Sequence, residues 1–157
     1  MLKKPYMESA DVYSRLPHRY PFCLIDRVIE FKEGPDLSTR SGRRVKIIKN
    51  VTINENFFPG HFPGNPRMPG VIQIEVVAQA AAIAVYREND GEQDFAIAAV
   101  NNAKFLRPVI PGDRLEVECL VKREKLKMLF IEGRTTVDGK VVNTMELVAY
   151  VSPKSKG

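Results

Sequence analysis

Period-two alternation of apolar and polar residues dominates the second half of the chain. Leu115, Val117, Cys119 and Val121 alternate with Glu116, Glu118 and Lys122, which predicts a strand with one buried face. Phe95–Phe105, Met128–Val137 and Lys140–Val151 read as three more strands. Asp138-Gly139 between the last two is a tight-hairpin signal, and residues 108–113 read as a turn. Earlier, Phe22–Phe31 and Arg44–Ile53 are dense in apolar and β-branched residues and predict two further strands, with a loop at 33–43 between them. Two segments follow a different period. Residues 9–16 predict a short helix with Ser9 as N-cap and Pro17 as its stop. Val71 to about Arg87 predicts the one long helix, ended by Asn89-Asp90-Gly91.

That long helix decides the architecture. Ala78, Ala80, Ala81, Ala82 and Ala84, with valine and isoleucine between them, leave it apolar on nearly every side. A helix of this kind is buried rather than laid on a surface. A curved antiparallel sheet covers one side, and the rest must meet the N-terminal segment or a second subunit. The expectation is one α+β domain over residues 1–157, without repeat or linker, forming a homodimer. About 1–8 and 152–157 are expected to fray.

Composition excludes several classes. The chain has 157 residues and a net charge of +5, with no basic run resembling a nucleic-acid tail. Its two histidines, His18 and His61, and two distant cysteines, Cys23 and Cys119, make no metal-ligand spacing. Both cysteines are expected to be reduced core residues of a cytoplasmic protein. Two lysines near the start precede no apolar core, so no signal peptide is expected. The apolar stretch 71–86 is interrupted by Gln73, Glu75 and Gln79. It is also shorter than the roughly 20 residues a membrane span requires.

Candidate chemistry gathers just before the long helix. Phe57-Phe58-Pro59-Gly60-His61-Phe62-Pro63-Gly64 is a stiff loop with one histidine between aromatics. Its prolines fix φ and its glycines permit tight turns. It leads through Met68-Pro69-Gly70 into a helix that carries a single carboxylate, Glu75. An imidazole and a carboxylate in apolar surroundings make a candidate acid/base pair. Phe57, Phe58 and Phe62 suit core packing and a tunnel wall equally. His18, between Pro17 and Arg19, reads as a structural histidine.

Leu16-Pro17-His18-Arg19-Tyr20-Pro21-Phe22, Asp26-Arg27-Val28 and Lys49-Asn50-Val51-Thr52 resemble the opening of the bacterial (3R)-hydroxyacyl-acyl-carrier-protein dehydratases of the Z type. The likeness continues through the His61 loop, Met68-Pro69-Gly70-Val71, Glu75, Ala78-Gln79, Lys104-Phe105, Arg107-Pro108-Val109 and Pro111-Gly112-Asp113, covering roughly residues 9–151 in order. Two departures stand out. Loop 33–43 is a few residues longer than the family's turn, and Gln73 replaces a residue that is usually apolar. Gln73 is expected at the interface or the acyl tunnel.

The resemblance implies a hot-dog fold, a sheet wrapped on a central helix. It also implies dimers that assemble into hexamers as trimers of dimers, and no cofactor or metal. Each site would take His61 from one subunit and Glu75 from the other, with His61 as base and Glu75 as acid or water anchor. Gly70, opening the helix, would offer its backbone N–H to the thioester oxygen at the positive end of the helix dipole. Gln79, four residues from Glu75, would orient the carboxylate. Arg67, Lys104 and Arg107 are expected to dock the acidic acyl carrier protein. A hot-dog thioesterase and a non-catalytic acyl-binding module remain as alternatives. A-type relatives carry aspartate at the helix carboxylate and also isomerise the double bond. With Glu75 there, the purified protein is expected to dehydrate without isomerising; efficient conversion of the trans-2 product into the cis-3 isomer would show otherwise.

Overall fold

In a computed structural model that describes residues 5–154, the strands form one six-stranded antiparallel sheet. They are β1 (Arg27–Lys32), β2 (Arg44–Asn50), β3 (Gln93–Phe105), β4 (Arg114–Lys125), β5 (Met128–Val137) and β6 (Lys140–Pro153), in the order β1-β2-β4-β5-β6-β3. The two helices are α1 (Ser9–Arg15) and α2 (Gly70–Val85). This is the α+β hot-dog arrangement, with α2 against one face of the sheet. Among the described residues no helix is long and apolar enough to cross a membrane.

The alternation does what periodicity requires. Leu115, Val117, Cys119 and Val121 of β4, and Leu129 and Ile131 of β5, all turn inward and are buried. Opposite them lie Val76, Val77, Ala80, Ala81 and Ala84 of α2. The helix comes down on β5 at Gly133, where a Cβ would lie 2.3 Å from Val77 Cγ1. The neighbouring Cys119 thiol donates to Val77 O at 3.5 Å, and burial pushes its pKa up to about 12. Cys23 is only half-buried, so the expectation of two core thiols holds for Cys119 alone. Neither forms a disulfide.

Several boundaries differ from expectation by a few residues. Strand β2 ends at Asn50 rather than Ile53 and α2 at Val85 rather than Arg87, and the differences near the chain's start have local reasons. The first strand starts at Arg27 rather than Phe22, because Phe22 O and Leu24 N bond the Gln79 side chain instead of a neighbouring strand. Helix α1 is capped by Glu8, whose N–H donates to Asp11 at 3.0 Å, while Ser9 Oγ donates to Asp26 O. The described residues near both ends, where fraying is expected, have backbone partners. Met7 is buried and bridges Val28, β6 runs to Pro153, and Lys154 N–H reaches Glu92 O at 3.0 Å. Residues 1–4 and 155–157 lie outside the described part.

The long loop 33–43 serves α2. The last turn of α2 carries no basic residue of its own. Arg40 and Arg43, both buried, reach its end from the loop. Arg40 Nε donates to Val85 O at 2.7 Å, and Arg43 Nη1 to Tyr86 O at 2.9 Å. Glu124 and Asp90 pair with Arg40, and Glu33 binds Arg43 at 2.7 and 2.8 Å. Cations at a helix C-terminus satisfy orphan carbonyls and oppose the negative end of the dipole. The closeness of α2 to the sheet is testable. Gly133→Ala forces the Val77 contact apart and is expected to cost about 2 kcal/mol, read as a fall of about 6 °C in Tm. An unchanged Tm would contradict this packing.

Candidate active site

The residues from Thr52 to Gly60 form a run of turns, closed by Glu55 N–H to Thr52 O, Phe58 N–H to Glu55 O and Gly60 N–H to Phe57 O, each at 3.3 Å. Phe58 is buried and anchors the run, its ring edge-on to Phe57 at 4.7 Å. Beyond it, Phe62 and Asn65 exchange backbone hydrogen bonds at 3.1 and 2.9 Å, and Arg67 N–H returns to His61 O at 2.9 Å. His61 is therefore held on both sides. Its ring stacks on Phe62 at 4.0 Å, and Phe62 is itself half exposed.

One contact assigns the imidazole's tautomer. His61 Nδ1 lies 2.6 Å from Arg67 O. A carbonyl oxygen only accepts, so Nδ1 carries the hydrogen, and in the neutral ring Nε2 keeps its lone pair. The loop thus holds one nitrogen and presents the other as a base.

Glu75 lies on the second turn of α2 with about a quarter of its side chain exposed. Gln79 Nε2 donates to its Oε1 at 2.8 Å, as the four-residue spacing predicts. The same amide nitrogen donates to Phe22 O at 2.8 Å, while Gln79 Oε1 accepts Leu24 N–H at 3.0 Å. Gln79 therefore ties the carboxylate to the segment after α1. His18, read as structural, instead faces the site: its Nε2 is 3.2 Å from the same Glu75 Oε1. Its Nδ1 is buried without a partner, which suits an unprotonated nitrogen better than an N–H. Two donors thus converge on Oε1 and leave Oε2 for another ligand. The sequence signal for His18 was its motif neighbours, Pro17 and Arg19; periodicity has nothing to say about a loop residue.

The start of α2 is open. Pro69 stands at the N-cap with no side-chain cap, and the first turn carries no acidic residue. Ile72 and Gln73 N–H share Pro69 O at 3.0 and 3.1 Å. The amides of Gly70 and Val71 have no acceptor among the described residues, and they form the positive end of a 16-residue helix. Glycine at 70 permits a close approach by Phe105 of β3, for a Cβ there would meet the ring at 3.1 Å.

Within one protomer no hydrogen bond or ion pair joins His61 to Glu75 among the described residues. Nor does the structure bring the three expected docking cations into one contact. Arg67, Lys104 and Arg107 are exposed, and Lys104 lines a groove of about 650 Å³ on the outer face of the sheet. Arg44 and Arg134 share that groove with Glu118, Glu132 and Glu146, and it includes neither His61 nor any residue of α2. Gln73 is buried inside its own protomer rather than offered to an interface.

Comparison with known proteins bears on the family and the fold. A FabA-like domain is matched over residues 16–146. The chain is 41% identical over 149 residues to the 3-hydroxyacyl-[acyl-carrier-protein] dehydratase FabZ of Nitratidesulfovibrio vulgaris, covering 93% of this chain and 92% of that one. It is 41% identical over 152 residues to the FabZ of Nitrosospira multiformis, covering 94% and 99%. Among solved structures it resembles the dehydratase heterocomplex ApeI:P from Xenorhabdus doucetiae, with TM-score 0.71 and 21% identity over 92% of this chain and 91% of that one. A thioesterase superfamily member from Thermus thermophilus shares the fold at TM-score 0.62 and 15% identity, over 74% and 85%. At such identities the two structures speak for the fold alone. The domain match and the 41% identity across nearly the whole chain do more: this protein belongs to the FabA-like family.

Proposed function

We propose that the chain is a hydro-lyase that converts a (3R)-hydroxyacyl thioester on an acyl carrier protein into the trans-2-enoyl thioester during fatty acid elongation. The observation that carries this reading is the His61 ring, its Nδ1 committed to Arg67 O and its Nε2 left as a base. A thioesterase would have no use for that device, and the 41% identical relatives are named for the dehydration.

The reaction breaks C2–H and C3–O bonds and forms a C2–C3 double bond with loss of water. His61 Nε2 takes the C2 proton as charge moves onto the thioester oxygen. That oxygen is received by the free amide of Gly70 at the positive end of α2, a donor worth roughly 3 kcal/mol in a transition state. The proton passes from His61 to the departing C3 hydroxyl, and Glu75 Oε2 holds the water as it leaves. His18 and Gln79, both on Oε1, keep Oε2 turned to that task.

The working pair is His61 of one subunit and Glu75 of its partner. Support comes from the lack of a bond between them within a protomer and from the apolar surface nearby. Strand β3 is one of the two edges of the sheet, and Ile97, Val100, Phe105 and Leu106 along and after it are 38–58% exposed. Val71, on the first turn of α2, is 72% exposed. An unpaired edge strand of 13 residues with apolar side chains is suited to pairing with a second copy. The exposed Arg67, Lys104 and Arg107 are the proposed contacts for the acidic carrier.

Turnover of a 3-hydroxyacyl thioester should yield enoyl product and no free thiol; free thiol in its place would favour a thioesterase. His61→Ala and Glu75→Gln are each expected to lower kcat about 10³-fold. His18→Leu should lower kcat about tenfold with little change in KM, since Glu75 stays but loses one of its two positioning donors. Full activity in either of the first two variants would remove that residue from the mechanism. On carrier-bound substrate, KM is expected to rise steeply with salt, whereas short thioesters without the carrier should be indifferent. Equal salt sensitivity for both substrates would rule out docking through these cations.

A further inference from the structure

The buried polar residues of the described chain are Arg40, Arg43, Lys49, Gln73, Gln79, Thr135 and Asn143. Most have a task. Arg40 and Arg43 close the end of α2, Lys49 pairs with Glu55 at 2.7 Å, and Gln79 holds Glu75. Gln73, Thr135 and Asn143 remain, clustered where the first turn of α2 meets β5 and β6.

Gln73 Nε2 donates to Met68 O at 3.2 Å, and Asn143 Nδ2 donates to Gln73 Oε1 at 2.8 Å. The amide orientations follow from chemistry. Met68 O only accepts, so Gln73 presents Nε2 to it, and its remaining Oε1 requires a donor from Asn143. A continuous line of bonds therefore runs from β6 through α2 to the backbone of Met68. On its other side Met68 N–H is bonded to Val109 O at 2.8 Å. Gly70, with its free amide, is two residues further on. Asn143 is also the ladder partner of Phe105, whose ring packs on Gly70.

This polarity is kept at a loss. Asn143 is wholly buried, yet its Oδ1 has no partner among the described residues. Thr135, its partner in the β5–β6 register, likewise has a buried hydroxyl without one. Apolar residues at 73 and 143 would fill the space without leaving an amide oxygen unsatisfied. Among the described residues, the amide of Asn143 bonds Gln73 alone, and the one backbone group that the Gln73 side chain holds in turn is Met68 O.

We propose that Gln73 and Asn143 are positioning residues: a buried strap that fixes Met68–Gly70 and so aims the free amides at the start of α2 toward the thioester oxygen. This rests on the dehydratase reading of Gly70 given above.

The test compares Gln73→Leu, Asn143→Leu and the double variant with wild type. Each single change leaves a buried amide facing an apolar side chain and should lower Tm clearly. The double change removes both amides and should recover most of the lost Tm. In the double variant kcat is nevertheless expected to stay about tenfold below wild type with KM within twofold, because Met68 remains untethered. Amide exchange at Met68 should rise at least tenfold, while the β4 and β5 amides keep their protection. A double variant with wild-type kcat would overturn the strap, and so would unchanged exchange at Met68. If the wild-type protein makes no enoyl product, the dehydratase reading fails by itself. The exchange measurement then still decides whether Gln73 and Asn143 hold Met68.

Discussion

Everything in this protomer depends on burying a 16-residue helix whose backbone ends cannot both be left to water. The two ends are treated in opposite ways. At the C-terminus two arginines from a neighbouring loop occupy the last carbonyls, and acidic partners neutralise them. At the N-terminus no side chain caps the first amides. Closing both ends would make a more stable helix with no free amides to offer a ligand. The asymmetry leaves the positive end of the dipole available at the point where the His61 loop delivers the chain to α2.

A second feature of the site is the division of labour within each functional group. His61 commits one ring nitrogen to position and leaves the other without a partner among the described residues. Glu75 does the same with its oxygens, Oε1 taking Gln79 and His18 while Oε2 stays free. Both arrangements fix the orientation of the group in advance, which is the preorganisation a catalytic group requires. They also account for the stiffness of the surroundings, since prolines, paired turns and a buried phenylalanine restrict the loop that carries His61.

Much of this was legible from residue order. Strands β3 to β6 lie where the alternation and the Asp138-Gly139 hairpin indicate, and α2 begins one residue before its expected start. Period-two and all-apolar patterns are local, so they survive without knowledge of partners. The failures were of another sort. The stretch 22–26 has a strand's composition, but Phe22 O and Leu24 N–H went to a glutamine side chain 55 or more residues away. Loop 33–43 read only as a loop by composition, and nothing in it announced that Arg40 and Arg43 would be buried. His18 carried no periodic signal and sits on the carboxylate all the same.

The sequence by itself determined the class of fold, the rigidity of the His61 loop, the presence of a lone carboxylate on an apolar helix and the spacing that sets Gln79 beside it. These follow from steric and periodic rules that act within a few residues. Only the tertiary structure decided which nitrogen of His61 is free, that His18 shares Glu75, that Phe105 lies on Gly70 and that Gln73 is bonded to Asn143. Each of these is a contact whose partner was chosen by packing α2 against the sheet, and no rule of local spacing reaches across 70 residues.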